Sequence, residues 1–309
     1  MLSYDIVKNN PAVFLAMTSL HIDEFQALLL KFNKAWHNQA TQSNRKRKKG
    51  AGRKPKLQNR ADQLFFILFY LKTYPLQSVL GFLFGMSQTQ ANMWIHRLSH
   101  ILKSALEDES LLPVQEGERL EAILSENSSH VYAQDGCERK VQRPVNSETQ
   151  TDFYSGKKKT HTAKHLLVAH LEQRRISFLS KVVGGKKHDK KLADESDLKF
   201  PRNSLLEQDT GFQGYNPDDV LIIQPKKKPR KKELTIGEKF VNRCISSDRV
   251  LIENIIASVK RCRIVKDIFR NWKDGFSDLV MLIACGLHNL RTDSRQPTES
   301  INLLELYFQ

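Results

Sequence analysis

Apolar residues recur at helical spacing through the first third of the chain. The apolar positions between residues 10 and 39 predict one or two helices, because they recur every three to four residues: Ile22, Phe25, Leu29, Phe32 and Trp36. The same spacing predicts three more helices, over about 60–72, 76–84 and 88–106. The chain is therefore expected to begin with an all-helical region.

The pattern changes after about residue 128. Short β-like runs alternate with helical segments, and this interleaving predicts an α/β domain. The predicted strands lie at 130–135, 164–171, 175–183, 204–208 and 219–224. The predicted helices lie at 189–199, 235–262 and 276–290.

These patterns, with the composition shifts between them, divide the chain into six segments. They are an N-terminal helical region (1–44), a basic linker or arm (45–56), a three-helix region (57–110), an acidic joint (111–128), the α/β domain (129–295) and a tail (296–309). Residues 304–309 look like a protease-site remnant of protein expression, so the tail carries no functional argument.

The charge balance favours a polyanionic partner. The 309 residues include 49 Lys and Arg against 34 Asp and Glu, a net charge of +15. Nucleic acid is the commonest large polyanion, although ribosomal and membrane-surface proteins share this composition. The longest apolar run, 64–71, has 8 residues, against the roughly 20 that span a membrane. We therefore expect a cytoplasmic, nucleoid-associated protein with no membrane partner. The four cysteines lack metal-site spacing.

The second and third predicted helices have the pattern of a helix-turn-helix. A short turn at Gly85 separates them, and Ser87 is a typical N-cap. Polar side chains at the exposed start of the third helix could reach base edges or phosphates: Ser87, Gln88, Thr89, Gln90 and Asn92. An ordinary helical pair is the alternative.

A dense basic run precedes these helices. It is either a solvated linker or an arm that lies along DNA phosphates or in a minor groove, and we favour the arm. Its candidate DNA contacts are Arg45, Lys46, Arg47, Lys48, Lys49, Arg53 and Lys54.

Three acids are candidates for a divalent metal pair. Asp135 and Asp209 each follow a short apolar run, so we expect them at the ends of neighbouring strands. Glu253 lies in a helical stretch, where the i,i+4 pair with Arg249 is an equally good surface ion pair. At 100° per residue, one narrow polar stripe of this helix holds Asn242, Arg249, Glu253 and Lys260. Carboxylates are the ligands that Mg²⁺ prefers, and two ions can activate and stabilise the oxygens of a phosphodiester displacement.

Other residues of similar chemistry are weaker candidates. Asp218 and Asp219 precede a strand, where adjacent acids usually cap or solvate a turn. His96 and His100 have i,i+4 spacing but lack a third zinc ligand nearby in sequence. The Gly-Lys-Lys runs at 156–158 and 185–187 fail the phosphate-loop pattern, so we expect no nucleotide cofactor.

The blocks around these acids resemble the DDE transposases of bacterial insertion sequences, in particular the insertion-sequence-five family, which is related to the PIF/Harbinger group. The matching blocks, in order, are Asp135-Gly, Gln142-Arg-Pro, Tyr154-Ser-Gly-Lys-Lys-Lys-Thr-His161, Gly185-Lys-Lys-His188-Asp189, Asp209-Thr-Gly-Phe-Gln-Gly214 and the Arg249, Glu253 and Lys260 spacing. The ordered match covers roughly 60–265. Ser246 departs from the wider signature, which has a Tyr three residues before the Arg.

The resemblance implies an α/β RNase H-like catalytic domain preceded by an all-α helix-turn-helix DNA-binding region. Asp135, Asp209 and Glu253 would be the catalytic metal ligands for two Mg²⁺, for which Mn²⁺ substitutes. The enzyme would bind the terminal inverted repeats of its element as a dimer or higher oligomer on double-stranded DNA, free a 3′-OH and join it to target DNA. Candidate phosphate or DNA contacts are Arg249, Lys260, Lys157, Lys158, Lys159, His161 and Asn242, with His188 and Asp189 supporting the ligands.

A second function class remains open at this point. A transposase-derived protein that binds DNA without cutting it, as a repressor or scaffold, would keep the helix-turn-helix and the basic arm. Three acids in register favour the enzyme, because a chain freed from catalysis has no need of them. A general RNase H-like nuclease leaves the helix-turn-helix and the arm unexplained.

Overall fold

The computed structural model describes residues 1–41, 55–125, 130–229, 233–271 and 273–295, without the side chains at 40, 41, 247 and 248. The described chain forms two compact units. One comprises residues 1–112, 260–267 and 271–294, and the other comprises 113–259, 268–270 and Arg295. Of the predicted segments, 45–54 and 296–309 lie outside the described residues.

The first unit is all-helical. Its helices are α1 (Tyr4–Val7), α2 (Pro11–Thr18), α3 (Ile22–Thr41), α4 (Arg60–Thr73), α5 (Gln77–Leu83), α6 (Gln88–Glu107) and α12 (Phe276–Arg295). Helix α4 is buried over nine consecutive residues, 63–71, so it is the central helix that its apolar sequence predicts. Phenylalanine rings fill the space around it: Phe65 lies 6.0 Å from both Phe14 and Phe84.

The second unit is a mixed α/β domain built on one sheet. Its strands are β1 (Val131–Lys140), β2 (Tyr154–Ser155), β3 (Thr160–His170), β4 (Arg175–Leu179), β5 (Val183–Gly184), β6 (Ser204–Glu207) and β7 (Val220–Ile223). Its helices are α7 (Leu120–Leu124), α8 (Ser147–Phe153), α9 (Asp189–Glu195), α10 (Ile236–Asp248) and α11 (Val250–Val259).

The sheet combines antiparallel and parallel pairing. The strand order is β2-β3-β1-β6-β7, and β4 and β5 also pair with β3. Strand β3 is antiparallel to β1, β4 and β5, whereas β1, β6 and β7 run parallel. Residues 162–170 of β3 are all buried, as expected of a central strand covered on both faces. A helical region followed by this mixed sheet confirms the predicted fold class and is consistent with an RNase H-like domain.

Two predicted limits differ from the observed units. Helix α12 was assigned by sequence to the α/β domain, but residues 271–294 group with the helical unit. Residues 279–289 of α12 are buried without interruption, as expected of a helix that lies inside a core. The predicted helix 235–262 is divided into α10 and α11 at Arg249.

Membrane-spanning potential is weak in the described residues. No single helix there is both long and apolar enough to cross a bilayer. One pair of helices, Pro11–Thr18 and Ile22–Gln39, has the length and composition of a membrane span when taken together, but the pair is bent by 53°.

Candidate active site

Asp135 and Asp209 lie on neighbouring parallel strands. The register of β1 and β6 pairs Ala133 with Glu207, and the two aspartates follow two residues farther along each strand. Residues in register on parallel strands share one face of the sheet, so the two carboxylates come together. Asp209 follows the end of β6, as predicted. The prediction that Asp135 ends its strand is wrong, because β1 continues to Lys140 through its pairing with β3.

Each of these aspartates is anchored by a glycine that follows it. The Asp135 Oδ1 accepts a hydrogen bond from the Gly136 N–H at 2.7 Å. The Asp209 Oδ1 accepts one from the Gly211 N–H at 2.6 Å and so caps the short 3-10 turn Thr210–Phe212. These bonds fix the orientation of both carboxylates.

Crowding of negative charge marks the site. The pKa of Asp135 is raised to about 6, chiefly by burial, and the neighbouring Asp209 and Asp189 carboxylates also act to raise it. The Gly136 N–H and the charge of Arg249 act in the opposite direction and lower this pKa. A half-buried carboxylate with two further carboxylates close by is typical of a cation-binding site.

The Asp189 carboxylate lies beside Gly136 and Gly211, the glycines that follow these two acids. It is the first residue of α9, and His188 precedes the helix as its N-cap. A Cβ at Gly136 would lie 2.8 Å from the Asp189 Oδ1, and a Cβ at Gly211 would lie 2.9 Å from the Asp189 Oδ2. At Gly211 the same carbon would be 2.7 Å from the Asp209 Oδ1. The Asp189 carboxylate therefore occupies the space that side chains at these glycines would take.

A buried lysine holds Asp189 there. The Lys164 Nζ lies 2.8 Å from the Asp189 Oδ1 and 3.3 Å from the Glu138 Oε1. It also donates to the Lys187 carbonyl at 2.8 Å. Sequence analysis gave Lys164 and Glu138 no role. The available signal was one lysine at the start of the apolar run 164–171, where an unpaired charge is costly to bury.

Glu253 is carried by a helix that contacts the strand of Asp135. Helix α11 packs on β1, and Ile252, Ile255, Ile256 and Val259 are buried. Glu253 itself is exposed. Arg249 lies one turn earlier, and its positive charge lowers the pKa of Asp135. The Arg249 carbonyl accepts a hydrogen bond from the Glu253 N–H at 3.2 Å. The structure does not assemble Glu253 with the two aspartates: in the described part of the chain, no three His, Cys, Asp or Glu side chains are close enough to hold one ion.

The other residues of the predicted polar stripe lie elsewhere. Asn242 is used structurally, since its Oδ1 accepts from the Lys226 N–H at 2.8 Å and its Nδ2 donates to the Lys226 carbonyl at 2.9 Å. The exposed Ser246 donates to the Asn242 carbonyl at 2.8 Å. Lys260 directly follows α11 and is grouped with the helical unit.

A cavity of about 950 Å³ opens beside the acids. Its lining includes Lys157, His161, His188 and Asp189 among the predicted residues. Lys158 and Lys159 are exposed on the turn next to Lys157. The cavity is also lined by polar residues to which the sequence pattern assigns no role: Glu138, Arg143, Gln150, Thr151, Tyr154, Ser155, Lys164, Lys186 and Lys187. Its cations and its exposed Tyr154 suit a nucleic-acid strand, because bases stack on aromatic rings and cations bind phosphates.

Comparison with known proteins identifies the family. The family model described as DDE superfamily endonuclease matches residues 134–289, and the model described as helix-turn-helix of DDE superfamily endonuclease matches residues 55–108. The chain belongs to the DDE superfamily. A probable transposase for insertion sequence element IS702 of Microchaete diplosiphon is 30% identical over 244 residues, which cover 79% of this chain and 84% of that protein. No solved structure matches the chain.

These matches confirm that the protein is a DDE transposase related to those of insertion sequences, with a helix-turn-helix. Its membership of the insertion-sequence-five family remains a prediction. Members of this superfamily use divalent metal ions. The first match contains Asp135, Asp189, Asp209 and Glu253, so the acids described above lie within the endonuclease region.

The helix-turn-helix of this DDE transposase has the predicted start to its third helix. Ser87 and Gln90 form a capping box: the Gln90 N–H donates to the Ser87 Oγ at 3.2 Å, and the Ser87 N–H donates to the Gln90 Oε1 at 3.1 Å. Gln88 and Thr89 are exposed. The Asn92 Nδ2 donates to the Gln77 Oε1 at 3.1 Å, so Asn92 ties α6 to α5.

Two rival sites from the sequence have structural explanations. His96 packs edge-on against Phe276 at 4.6 Å, and burial lowers the pKa of both His96 and His100. Asp219 has a φ of 56° and lies in the turn before β7. Neither pair belongs to a group of three metal-binding side chains within the described ranges.

Proposed function

We propose that this DDE transposase binds the terminal inverted repeats of its insertion sequence, cuts there to free 3′-OH ends and joins them to target DNA. The observation that carries the proposal is the meeting of Asp135 and Asp209 on adjacent parallel strands, with Asp189 beside them and the pKa of Asp135 raised to about 6. The superfamily match and the net charge of +15 support DNA as the substrate.

Asp135 and Asp209 are the proposed metal ligands, with Glu253 as the third. The fit rests on hard oxygen donors that crowd one another and on two glycine positions that leave them room. We propose Mg²⁺, two ions per site, with Mn²⁺ as a substitute. When bound, such ions activate the attacking oxygen of a phosphodiester displacement and stabilise the leaving oxygen.

The side chains around the acids have positioning roles in this proposal. Arg249 is a phosphate contact, since it already acts on Asp135 through its charge. Lys157 and His161 lie in the wall of the cavity and would guide the strand. Lys260 is a further phosphate contact, and Lys158 and Lys159 add unspecific contacts beside the cavity.

The arm and the helix-turn-helix divide the task of binding. The exposed Gln88 and Thr89 are proposed to reach base edges, whereas the arm at 45–54 would contact phosphates irrespective of sequence. Cutting two ends implies at least a dimer on DNA. We place the reaction on nucleoid DNA in the cytoplasm.

A strand-specific cleavage assay tests this proposal. DNA that carries the flanking ends of the element is labelled and incubated with Mg²⁺ or Mn²⁺, and pre-cut ends with a 3′-OH test joining separately. We expect Asp135→Asn, Asp209→Asn and Glu253→Gln each to lower both rates at least roughly a hundredfold. The matched control, Asp194→Asn, removes an exposed carboxylate that pairs with Lys190 on α9 and is expected to cut normally.

Two outcomes would contradict parts of the proposal. If Glu253→Gln cuts as fast as the unmodified protein, the third ligand is assigned wrongly. If the unmodified protein binds the ends but cuts with neither cation, the chain is a DNA-binding derivative of a transposase rather than an active enzyme.

A further inference from the structure

One tryptophan in the helical unit holds two arginines. Trp36 lies on α3 and is 8% exposed. The guanidinium of Arg60 lies 4.0 Å from the centre of its ring, and that of Arg97 lies 4.3 Å from it. The Trp94 ring stacks on Trp36 at 6.3 Å, and Arg97 is also 5.7 Å from Trp94. Contacts at these distances are cation–π interactions, which fix the direction of long side chains.

The stack brings two like charges together. The pKa of Arg60 is lowered, first by burial and then by the positive charge of Arg97. Arginine stays protonated despite such a shift, so both charges persist at neutral pH. The Arg60 Nη1 donates to the neutral Gln63 Oε1 at 3.0 Å. Both guanidiniums lie against the ring of Trp36, Arg97 is exposed, and a phosphate group matches the planar donor geometry of a guanidinium.

The position of the stack connects it to the DNA-binding helix. Arg97 lies seven residues after Gln90 and three after Trp94 on α6, so the three share one helix face. Arg97 is therefore about 12–14 Å along the axis from the exposed Gln88 and Thr89 at the start of α6. Arg60 is the first residue of α4, four residues after the end of the basic segment 45–56. Both arginines fall within the helix-turn-helix match at 55–108, whereas Trp36 precedes it.

We propose that Trp36, Arg60 and Arg97 form a clamp for a phosphodiester group of double-stranded DNA. The N-terminal helix α3 thereby takes part in DNA binding, because its Trp36 ring holds Arg97 of the recognition helix α6 and Arg60 of α4 in place. This inference rests on the proposed binding of duplex DNA. The clamp contacts the backbone only, so it adds affinity and fixes the position of α6 without reading sequence.

Salt-dependent binding of a fluorescent duplex of arbitrary sequence tests the clamp. The full chain is titrated by anisotropy over a series of KCl concentrations. We expect Arg97→Gln and Arg60→Gln each to weaken binding roughly fivefold and to reduce the salt slope by about 0.9. Trp36→Leu is expected to weaken binding similarly although no charge is lost, and Trp36→Phe is expected to keep most of the affinity because it retains a ring.

The control variant is Lys103→Gln, which removes one charge from the same helix. Lys103 already pairs with Glu107 at 3.4 Å, so we expect an unchanged slope. If Lys103→Gln loses as much affinity as Arg97→Gln, net charge explains the effect and the clamp is wrong. The clamp is also wrong if Arg60→Gln and Arg97→Gln both keep the original slope. If Trp36→Leu shows no thermal unfolding transition, that variant is unfolded, and the salt slopes of Arg60→Gln and Arg97→Gln decide whether the clamp exists.

Two further experiments distinguish failure of the clamp proposal from failure of the proposed function on which it rests. The unmodified protein must bind the duplex, and failure there contradicts the proposed function rather than the clamp. Free phosphate has the same chemistry as the backbone group, so inorganic phosphate is compared with chloride at matched ionic strength. If phosphate raises the thermal midpoint of the unmodified protein but not of Arg97→Gln, while both bind DNA equally, the site takes a free anion and the DNA clamp is overturned.

Discussion

The Lys164 Nζ lies 2.8 Å from the Asp189 Oδ1, and only 6% of the Lys164 side chain is exposed. Glu138 shares the same ammonium group at 3.3 Å. Removal of one partner from such a buried group leaves the others uncompensated. We expect Lys164→Met to lower the free energy of unfolding by about 3 kcal/mol, measured by urea denaturation.

Lys191→Met is the matched control for that change. Lys191 is 69% exposed and lies 4.0 Å from Glu195 on the same helix as Asp189. Exposed pairs contribute little, so its unfolding curve should overlie that of the unmodified protein. Equal destabilisation by the two variants would show that the buried ion pair is not the cause.

Gly211→Ala should damage catalysis more than stability. The added carbon would lie 2.7 Å from the Asp209 Oδ1 and 2.9 Å from the Asp189 Oδ2, so both carboxylates must shift. Displacement of reacting groups by about 1 Å can cost roughly a hundredfold in rate, and we expect a loss of at least about tenfold in DNA cleavage. Gly237→Ala is the control, because a carbon there meets nothing within 4 Å. Equal cleavage by both variants would contradict the crowded geometry.

Asn242→Ala should loosen the segment after β7 without impairing DNA binding. The Asn242 amide brackets the backbone of Lys226 with bonds of 2.8 and 2.9 Å. We expect faster hydrogen exchange at the Lys226 amide and a loss of about 1 kcal/mol in stability. Asn254→Ala, at an exposed position of α11, is the comparison. If Asn242→Ala instead weakens DNA binding and leaves exchange unchanged, Asn242 is the phosphate contact that sequence analysis suggested.

Ser87→Ala should destabilise the start of the recognition helix. The Ser87 Oγ accepts the Gln90 N–H at 3.2 Å within the capping box. Loss of an N-cap of this kind costs about 1 kcal/mol, which thermal unfolding of the full chain would detect. Ser104→Ala, at an exposed position farther along α6, should leave the unfolding midpoint in place. A larger loss for Ser104→Ala would contradict the capping argument.

His165 should make the protein sensitive to acid. Its side chain is buried on β3, and burial, followed by the charge of Arg139, lowers its pKa from 6.5 to about 3. Below pH 6.5 the His165 imidazole is protonated in the unfolded chain but stays neutral in the folded chain. The stability that is present above pH 6.5 is therefore lost as the pH falls toward 3. His165→Gln cannot titrate, and its thermal midpoint should fall less between neutral pH and pH 5 than that of the unmodified protein. Parallel midpoint curves for the two proteins would rule out this origin of the acid sensitivity.

Local sequence predicted the elements with strong periodicity. Helix α4 was expected over 60–72 and spans Arg60–Thr73, and α6 was expected from residue 88 behind a Ser87 cap. Apolar spacing and capping act within a few residues, so a linear chain displays them fully. The sequence pattern predicts only the first half of β1, since the second half, from Gly136 to Lys140, is largely polar and is held by pairing with β3.

The sequence by itself determined the family, the order of the two regions and the two aspartates, because ordered motifs and periodic patterns are properties of the chain alone. Only the tertiary structure decided that Lys164 and Glu138 hold Asp189 against these aspartates, and that α12 joins the helical unit. It also decided that Trp36 meets Arg60 and Arg97, which are 24 and 61 residues away. Such relationships depend on strand register and helix packing between distant segments, and no local pattern specifies them.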